Sequence, residues 1–218
     1  MKRVLVLVEG QTEETFVRHV LAPHLWERGK APEVTRIATK QVQGRRAFRG
    51  GVPVFSKVER DLRRLLDSNP AAVTTLFDYY ALPDDFPGKK TLPSGGSCFD
   101  RAAHIEHALG AKIGDPRFIP NLLLHEFEAL LFAEPSAIAA VLLDESRSAE
   151  LSAIAAGHAS PEEIDDGPET HPCRRIERLL PGYVKPLQGP RIAERIGLPA
   201  IRGRCRHFDA WLTKIEAL

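Results

Sequence analysis

Residues 2–15 read KRVLVLVEGQTEET, and this stretch decides the fold class. Val4 to Val8 is an unbroken apolar run with β-branched side chains. Such a run suits a strand covered on both faces, as in a parallel sheet. Glu9-Gly10-Gln11 supplies a turn. Thr12 is a candidate helix cap, and Glu13 and Glu14 suit a helix N-terminus, where unpaired amides carry partial positive charge. Phe16, Val17, Val20, Leu21 and Leu25 then recur at helical spacing to about Arg28. A buried strand handing over to an amphipathic helix is the building unit of α/β folds.

The same alternation continues down the chain. A second strand is expected over Glu33–Thr39, then a Gly/Arg-rich loop over Lys40–Val52. A helix from Pro53 to about Ser68 comes next, and a third strand over Val73–Phe77 ends at Asp78. After a Pro/Gly-rich loop, a helix is expected from about Ser97 to Leu109. A fourth strand spans Arg117–Leu124, where Pro120 marks an edge position or a bulge because it has no amide hydrogen to give a ladder. Short helices fill Pro135–Ala156, an acidic turn-rich segment runs from Ser160 to Pro172, and three or four short helices close the chain. The expected architecture is a mixed α/β fold: a mostly parallel sheet with crossover helices over residues 1–133, and a helical C-terminal extension over 134–218 packed on it.

Composition excludes several classes. The 218 residues can bury a core without staples, and an apolar fraction of 43% with 27% charged residues is that of a globular protein. Cys98, Cys173 and Cys205 are few, distant and odd in number, which argues against a disulfide framework and for a reducing, cytoplasmic setting. Val4–Val8 is too short for a signal peptide's apolar region. No other run approaches the roughly 18 apolar residues of a membrane span, so no membrane partner is expected. The net charge of +1 hides clustering. Arg36 to Arg64 holds nine basic residues against Glu59 and Asp61, and Arg174 to Arg206 holds nine against Glu177 and Glu194. Such segments are what a phosphate-backbone footprint looks like, and equally what solvated helix faces look like. Arg45, Arg46, Arg49, Lys57, Arg174 and Arg175 are the candidate nucleic-acid contacts.

In open parallel sheets, ligands bind beyond the carboxyl ends of the strands. Here the first strand ends in Glu9, the third in Asp78 and the fourth in His125-Glu126, while Glu13 lies one helical turn beyond Glu9. Acids meeting at one sheet edge repel one another unless a cation sits among them, and a hard cation with oxygen ligands, Mg²⁺ or Mn²⁺, is the natural occupant. Other signals are weaker. His171-x-Cys173 and Cys205-x-His207 are too tightly spaced and too distant for an ordinary zinc site. His125-Glu126 lacks the second histidine of a zincin, and no Walker A sequence occurs.

VLVEGQTEETFV (residues 6–17) resembles the first motif of Toprim domains, a glutamate and glycine directly after the first strand. With a second glutamate four residues on, it is similar to nucleases of the overcoming-lysogenization-defect (OLD) type. FDYY (77–80) falls where the Toprim Asp-x-Asp motif is expected. Nearly the whole chain resembles a bacterial domain family of unknown function, the 4276 family, through EGQTEETFV, RGGVPVFSKVERDLRRLL, DYYALPDDFPG, RFIPNLLLHEFEALLF, ETHPCRRI, YVKPLQG and CRHFDAWL.

The resemblance implies that Glu9 is a metal ligand or general acid/base, that Glu13 and Asp78 are metal ligands, and that a lysine after the acidic motifs, Lys185, is catalytic. Arg174 and Arg175 are its rivals. The pattern breaks at the second aspartate, where Tyr80 stands; Asp84, Asp85, Glu126 and Glu128 are the substitutes, with Glu126 preferred because it ends a strand. The resemblance thus implies a nuclease or nuclease-like subunit dependent on Mg²⁺ or Mn²⁺. It would act on nucleic acid, DNA before RNA, beside an ABC- or SMC-like ATPase in defence against phage or mobile DNA. The alternative is a non-catalytic partner of an ATPase with a vestigial acidic site.

Overall fold

The computed structural model describes residues 1–37, 52, 54–164, 167 and 169–218. Among these, β1 (Lys2–Val8) leads into α1 (Gln11–Phe16), which continues through a π-helical segment, Val17–Leu21, into α2 (Ala22–Trp26). Pro23 explains the interruption, because it has no amide hydrogen for the carbonyl of His19 and the wider turn absorbs the gap. Next come β2 (Lys30–Arg36), α3 (Phe55–Asp67), β3 (Ala72–Asp78), α4 (Cys98–Ile113) and two short strands, β4 (Phe118–Ile119) and β5 (Leu122–Leu123). The C-terminal part contains α5 (Pro135–Val141), α6 (Ser148–Ala156), α7 (Pro172–Leu179), α8 (Lys185–Ile196), α9 (Leu198–Arg204) and α10 (Arg206–Glu216).

All strand pairs are parallel, in the order β2-β1-β3-β4, with β5 also on β3. β1 and β3 are therefore central, and β1 alternates as a strand buried on both faces must. Val4, Val6 and Val8 face one core with α1, α2 and the C-terminal helices, while Leu5 and Leu7 face another with α3 and α4. The C-terminal helices thus complete the core over one face of the sheet. Trp211 of α10 donates its indole N–H to Thr74 Oγ1 on β3 at 2.8 Å, which fixes the last helix to a central strand.

Several expected boundaries shift for identifiable reasons. β2 starts at Lys30 rather than Glu33, since Pro32 is tolerated on an edge strand whose outer side needs no ladder bond. Ala38, Thr39 and Pro53 lie outside the described residues. The expected fourth strand is split at Pro120-Asn121 but stays in register, Thr74 pairing with Ile119 and Phe77 with Leu122. Thr75 bridges the gap: its hydroxyl donates to the Asn121 carbonyl at 2.7 Å and accepts from the Asn121 amide at 3.0 Å. α4 runs on to Ile113, capped by Ser97 and ended by left-handed Gly114. The segment after His125 forms a 3-10 helix, Phe127–Ala133.

Within the acidic stretch before α7, Glu162 is buried and accepts the backbone N–H groups of His207 and Phe208 at 2.9 and 3.0 Å. It caps α10 from a distance in sequence, as a carboxylate at a helix N-terminus should. Among the described residues no helix is long and apolar enough to cross a membrane. All three cysteines are free.

Candidate functional site

The carboxyl ends of the two central strands carry the acids. Glu9 follows β1 and is half-buried. Gly10 caps α1, and Glu13 reaches back so that its Oε2 accepts the Gly10 N–H at 3.0 Å. This corrects the expected cap: Thr12 lies inside the helix and is buried, and Glu13 does the local work. A side chain on Gly10 would press against Glu13 Oε2 at 3.3 Å, so the tight turn keeps that carboxylate in place.

Asp78 ends β3 and is buried, with Oδ1 accepting the Phe127 N–H at 2.8 Å and Oδ2 accepting Lys185 Nζ at 2.9 Å. After β5 the chain turns through His125, whose φ of +60° is left-handed and strained for a residue with a Cβ. Glu126 is then extended, and the next carboxylate, Glu128, comes two residues later. Both are buried and both meet Lys185, Glu128 Oε2 at 2.8 Å and Glu126 Oε2 at 3.9 Å. Glu128 Oε1 accepts the Tyr183 hydroxyl at 2.9 Å. Glu126 Oε1 accepts His171 Nδ1 at 2.9 Å and the Cys173 N–H at the start of α7. The carboxylates of Glu126 and Glu128 and the Cys173 thiol place ligand atoms within 4.8 Å of one another.

Lys185 reaches this point because α8 lies close against α1. Gly189 makes that possible: a Cβ there would meet Tyr183 Oη at 3.0 Å, Phe127 at 3.3 Å and Thr12 at 3.5 Å. Burial works against the lysine's charge, but Asp78, Glu128, Glu126 and Glu13 together outweigh it and hold its pKa well above the ordinary value. The acids respond in the opposite sense. Burial, with Asp78 adding to it and Lys185 opposing, pushes Glu13 up to about 8. Burial, opposed by Lys185 and reinforced by Glu126 and Asp78, pushes Glu128 up to about 7. Asp78 is raised by burial against the pull of Lys185. His171 is raised chiefly by its hydrogen bond to Glu126.

The structure therefore brings together six of the sequence-derived residues: Glu9, Glu13, Asp78, Glu126, Glu128 and Lys185. The charge of Glu9 bears directly on Glu13 and on Tyr80. Of the other substitutes for the missing aspartate, Asp85 instead accepts the Phe55 N–H at the start of α3, and Asp84 is exposed. Arg45, Arg46 and Arg49 lie outside the described residues. Lys57 lies in the first turn of α3. Arg174 is exposed on α7 and paired with Glu169 and Glu177, while Arg175 donates to the Thr170 carbonyl. Neither arginine takes the place of Lys185 among the carboxylates. Tyr183, His171 and Cys173 belong to the cluster and are absent from the sequence-derived set. The zinc alternative dissolves, since His171 engages Glu126 whereas His207 engages Glu106 at 2.8 Å.

Asp78, Glu128, Glu126 and Glu13 thus act on one ammonium at the carboxyl edge of the sheet, and Glu9 acts on Glu13. Hard oxygen donors and excess negative charge fit a divalent cation of the Mg²⁺ or Mn²⁺ type, with Glu9, Glu13 and Asp78 as a candidate donor set in which Asp78 is shared with Lys185.

Fold and site together define an open, parallel α/β protein with a lysine-bridged acidic cluster at its central strand ends. The chain belongs to the domain family of unknown function DUF4276, whose model matches residues 8–216. Neither curated proteins nor solved structures yield a match to the chain.

Proposed function

We propose that the protein is a Mg²⁺- or Mn²⁺-dependent nuclease or nuclease-like subunit that cleaves phosphodiester bonds. One observation carries this reading: Asp78, Glu126 and Glu128, all buried, converge on Lys185 beside Glu9 and Glu13 at the strand ends. Burying so many like charges is costly, and a fold retains such an arrangement where it binds or reacts. The likeness of residues 6–17 to the Toprim motif supports the same reading.

On this reading Glu9, Glu13 and Asp78 hold the cation, which when bound supplies Lewis-acid activation of a phosphate. Glu126 and Glu128 orient Lys185, and they are themselves oriented by His171 and the Cys173 amide, and by Tyr183. Lys185 then presents a fixed positive charge to the oxygens of a phosphate approaching the cluster, where charge grows in the transition state. An ABC- or SMC-like ATPase is the proposed partner, and DNA the preferred substrate.

The test is cleavage of single- and double-stranded DNA and RNA with Mn²⁺ or Mg²⁺, with and without an ABC- or SMC-like ATPase as candidate partner. Wild type is expected to cleave, and Glu9→Ala to lose at least about a hundredfold, in keeping with removal of a group that acts on the reacting centre. Equal rates for wild type and Glu9→Ala would contradict the proposal. A wild type inert under every condition, with the partner included, would leave the cluster to the non-catalytic alternative.

A further inference from the structure

The rim of the acidic cluster carries an exposed aromatic side chain, Tyr80. Among the described residues seven large hydrophobic side chains are exposed: Met1, Trp26, Val54, Tyr80, Leu143, Val184 and Leu187. Tyr80 stands beside the acidic cluster: it lies two residues beyond Asp78, and the charges of Asp78, Lys185, Glu126 and Glu9 all bear on it.

Tyr80 is also held in place. Its ring lies nearly parallel to that of His171, at 13° with centroids 6.0 Å apart. His171 is fixed in turn by Glu126, and the Tyr80 N–H donates to the His125 carbonyl at 3.1 Å. With one face turned to His171, the residue remains 51% exposed. A flat ring set in advance loses little rotamer freedom when something stacks on it.

We propose that this rim is a subsite for an unpaired nucleobase, with the exposed part of the Tyr80 ring as its stacking surface. The inference rests on the nucleic-acid reading above and narrows it to substrates that expose a base. A phosphodiester carries one planar, partly apolar group per unit, its base. Inside a duplex both faces of that base are covered by neighbours, so a single strand, a flap or a frayed end is what can reach Tyr80. Stacking is indifferent to base identity, so little sequence preference is expected.

The experiment is fluorescence anisotropy with a labelled thymidine decamer, the same decamer with every base replaced by an abasic spacer, and the corresponding duplex, all in Ca²⁺. Wild type and Tyr80→Phe are expected to bind the base-bearing strand about tenfold more tightly than the abasic strand, the scale of one stacked base. Tyr80→Leu is expected to lose that discrimination while still binding, and circular dichroism would verify its fold. Equal affinity of wild type for the base-bearing and abasic strands would overturn the subsite and leave the nucleic-acid reading standing. Failure of folded wild type to bind any of the three probes would overturn both.

Discussion

Lys185→Met is expected to destabilise the fold by about 3–5 kcal/mol at neutral pH, the cost of leaving buried charges without their partner. The lysine is the shared counter-ion of Asp78 and Glu128, at 2.9 and 2.8 Å, and lies 3.9 Å from Glu126. Methionine replaces most of the stem volume, so cavity formation is minor and the loss reports the charge. Against a typical domain stability of about 5–15 kcal/mol this is a large fraction. Urea unfolding with chelator present is the measurement. Lowering the pH should shrink the difference between variant and wild type, because protonation removes the charges that Lys185 balances. A change below about 1 kcal/mol at neutral pH would mean that the carboxylates do not depend on Lys185.

The second large effect is a fall in wild-type stability as pH rises from about 5 to about 9 in chelator. Glu13 and Glu128 have folded-state pKa values of about 8 and about 7, against an ordinary value of 4.5. A carboxyl group whose pKa is raised on folding binds more protons in the native state. Its contribution is complete below 4.5 and disappears as pH passes through 7 to 8. The raised values of Asp78, His171 and His207 act in the same direction. A cation that binds the ionised cluster opposes this loss, so Mn²⁺ should raise the melting temperature more at pH 8 than at pH 6. Thermal scans in chelator and in Mn²⁺ at both pH values check it. Stability that rises across this range in chelator would contradict the assignment of protonated acids.

Much of the architecture was legible because β1 reads as a continuous apolar run and β3 as a run of apolar and β-branched residues, each leading to an acid. Elements governed by position rather than composition were not. Pro32 looks like a strand breaker until β2 is known to lie at an edge. The split of the fourth strand depends on Thr75 bridging Asn121, a contact between distant residues. The π-helical segment depends on how one proline is absorbed.

The acidic cluster divides along the same line. Glu9, Glu13, Asp78 and Glu126 are marked by strand ends and turns. Lys185 entered through resemblance alone, since nothing local in YVKPLQG says that its ammonium reaches Asp78. Glu128 was one of several substitutes, and what distinguishes it is the extended backbone at Glu126, set up by left-handed His125. Tyr183, His171 and Cys173 orient the carboxylates from far along the chain, and their roles appear only when α7 and α8 dock. The spacing of two between Glu126 and Glu128 was the one available signal, and it brings both carboxylates to Lys185 only because the chain passes there from extended Glu126 into the 3-10 segment.

The central claim is that the acidic cluster binds a divalent cation through the strand-end carboxylates. Titration calorimetry of chelator-treated protein with Mn²⁺ tests it most directly, comparing wild type with Glu9→Ala and Asp78→Asn. Asparagine keeps an acceptor for the Phe127 amide, so the fold should survive the loss of charge. Wild type is expected to bind, and both variants, still folded, to show no binding. Folded wild type giving no binding heat at millimolar Mn²⁺, or variants that bind as wild type does, would contradict the claim.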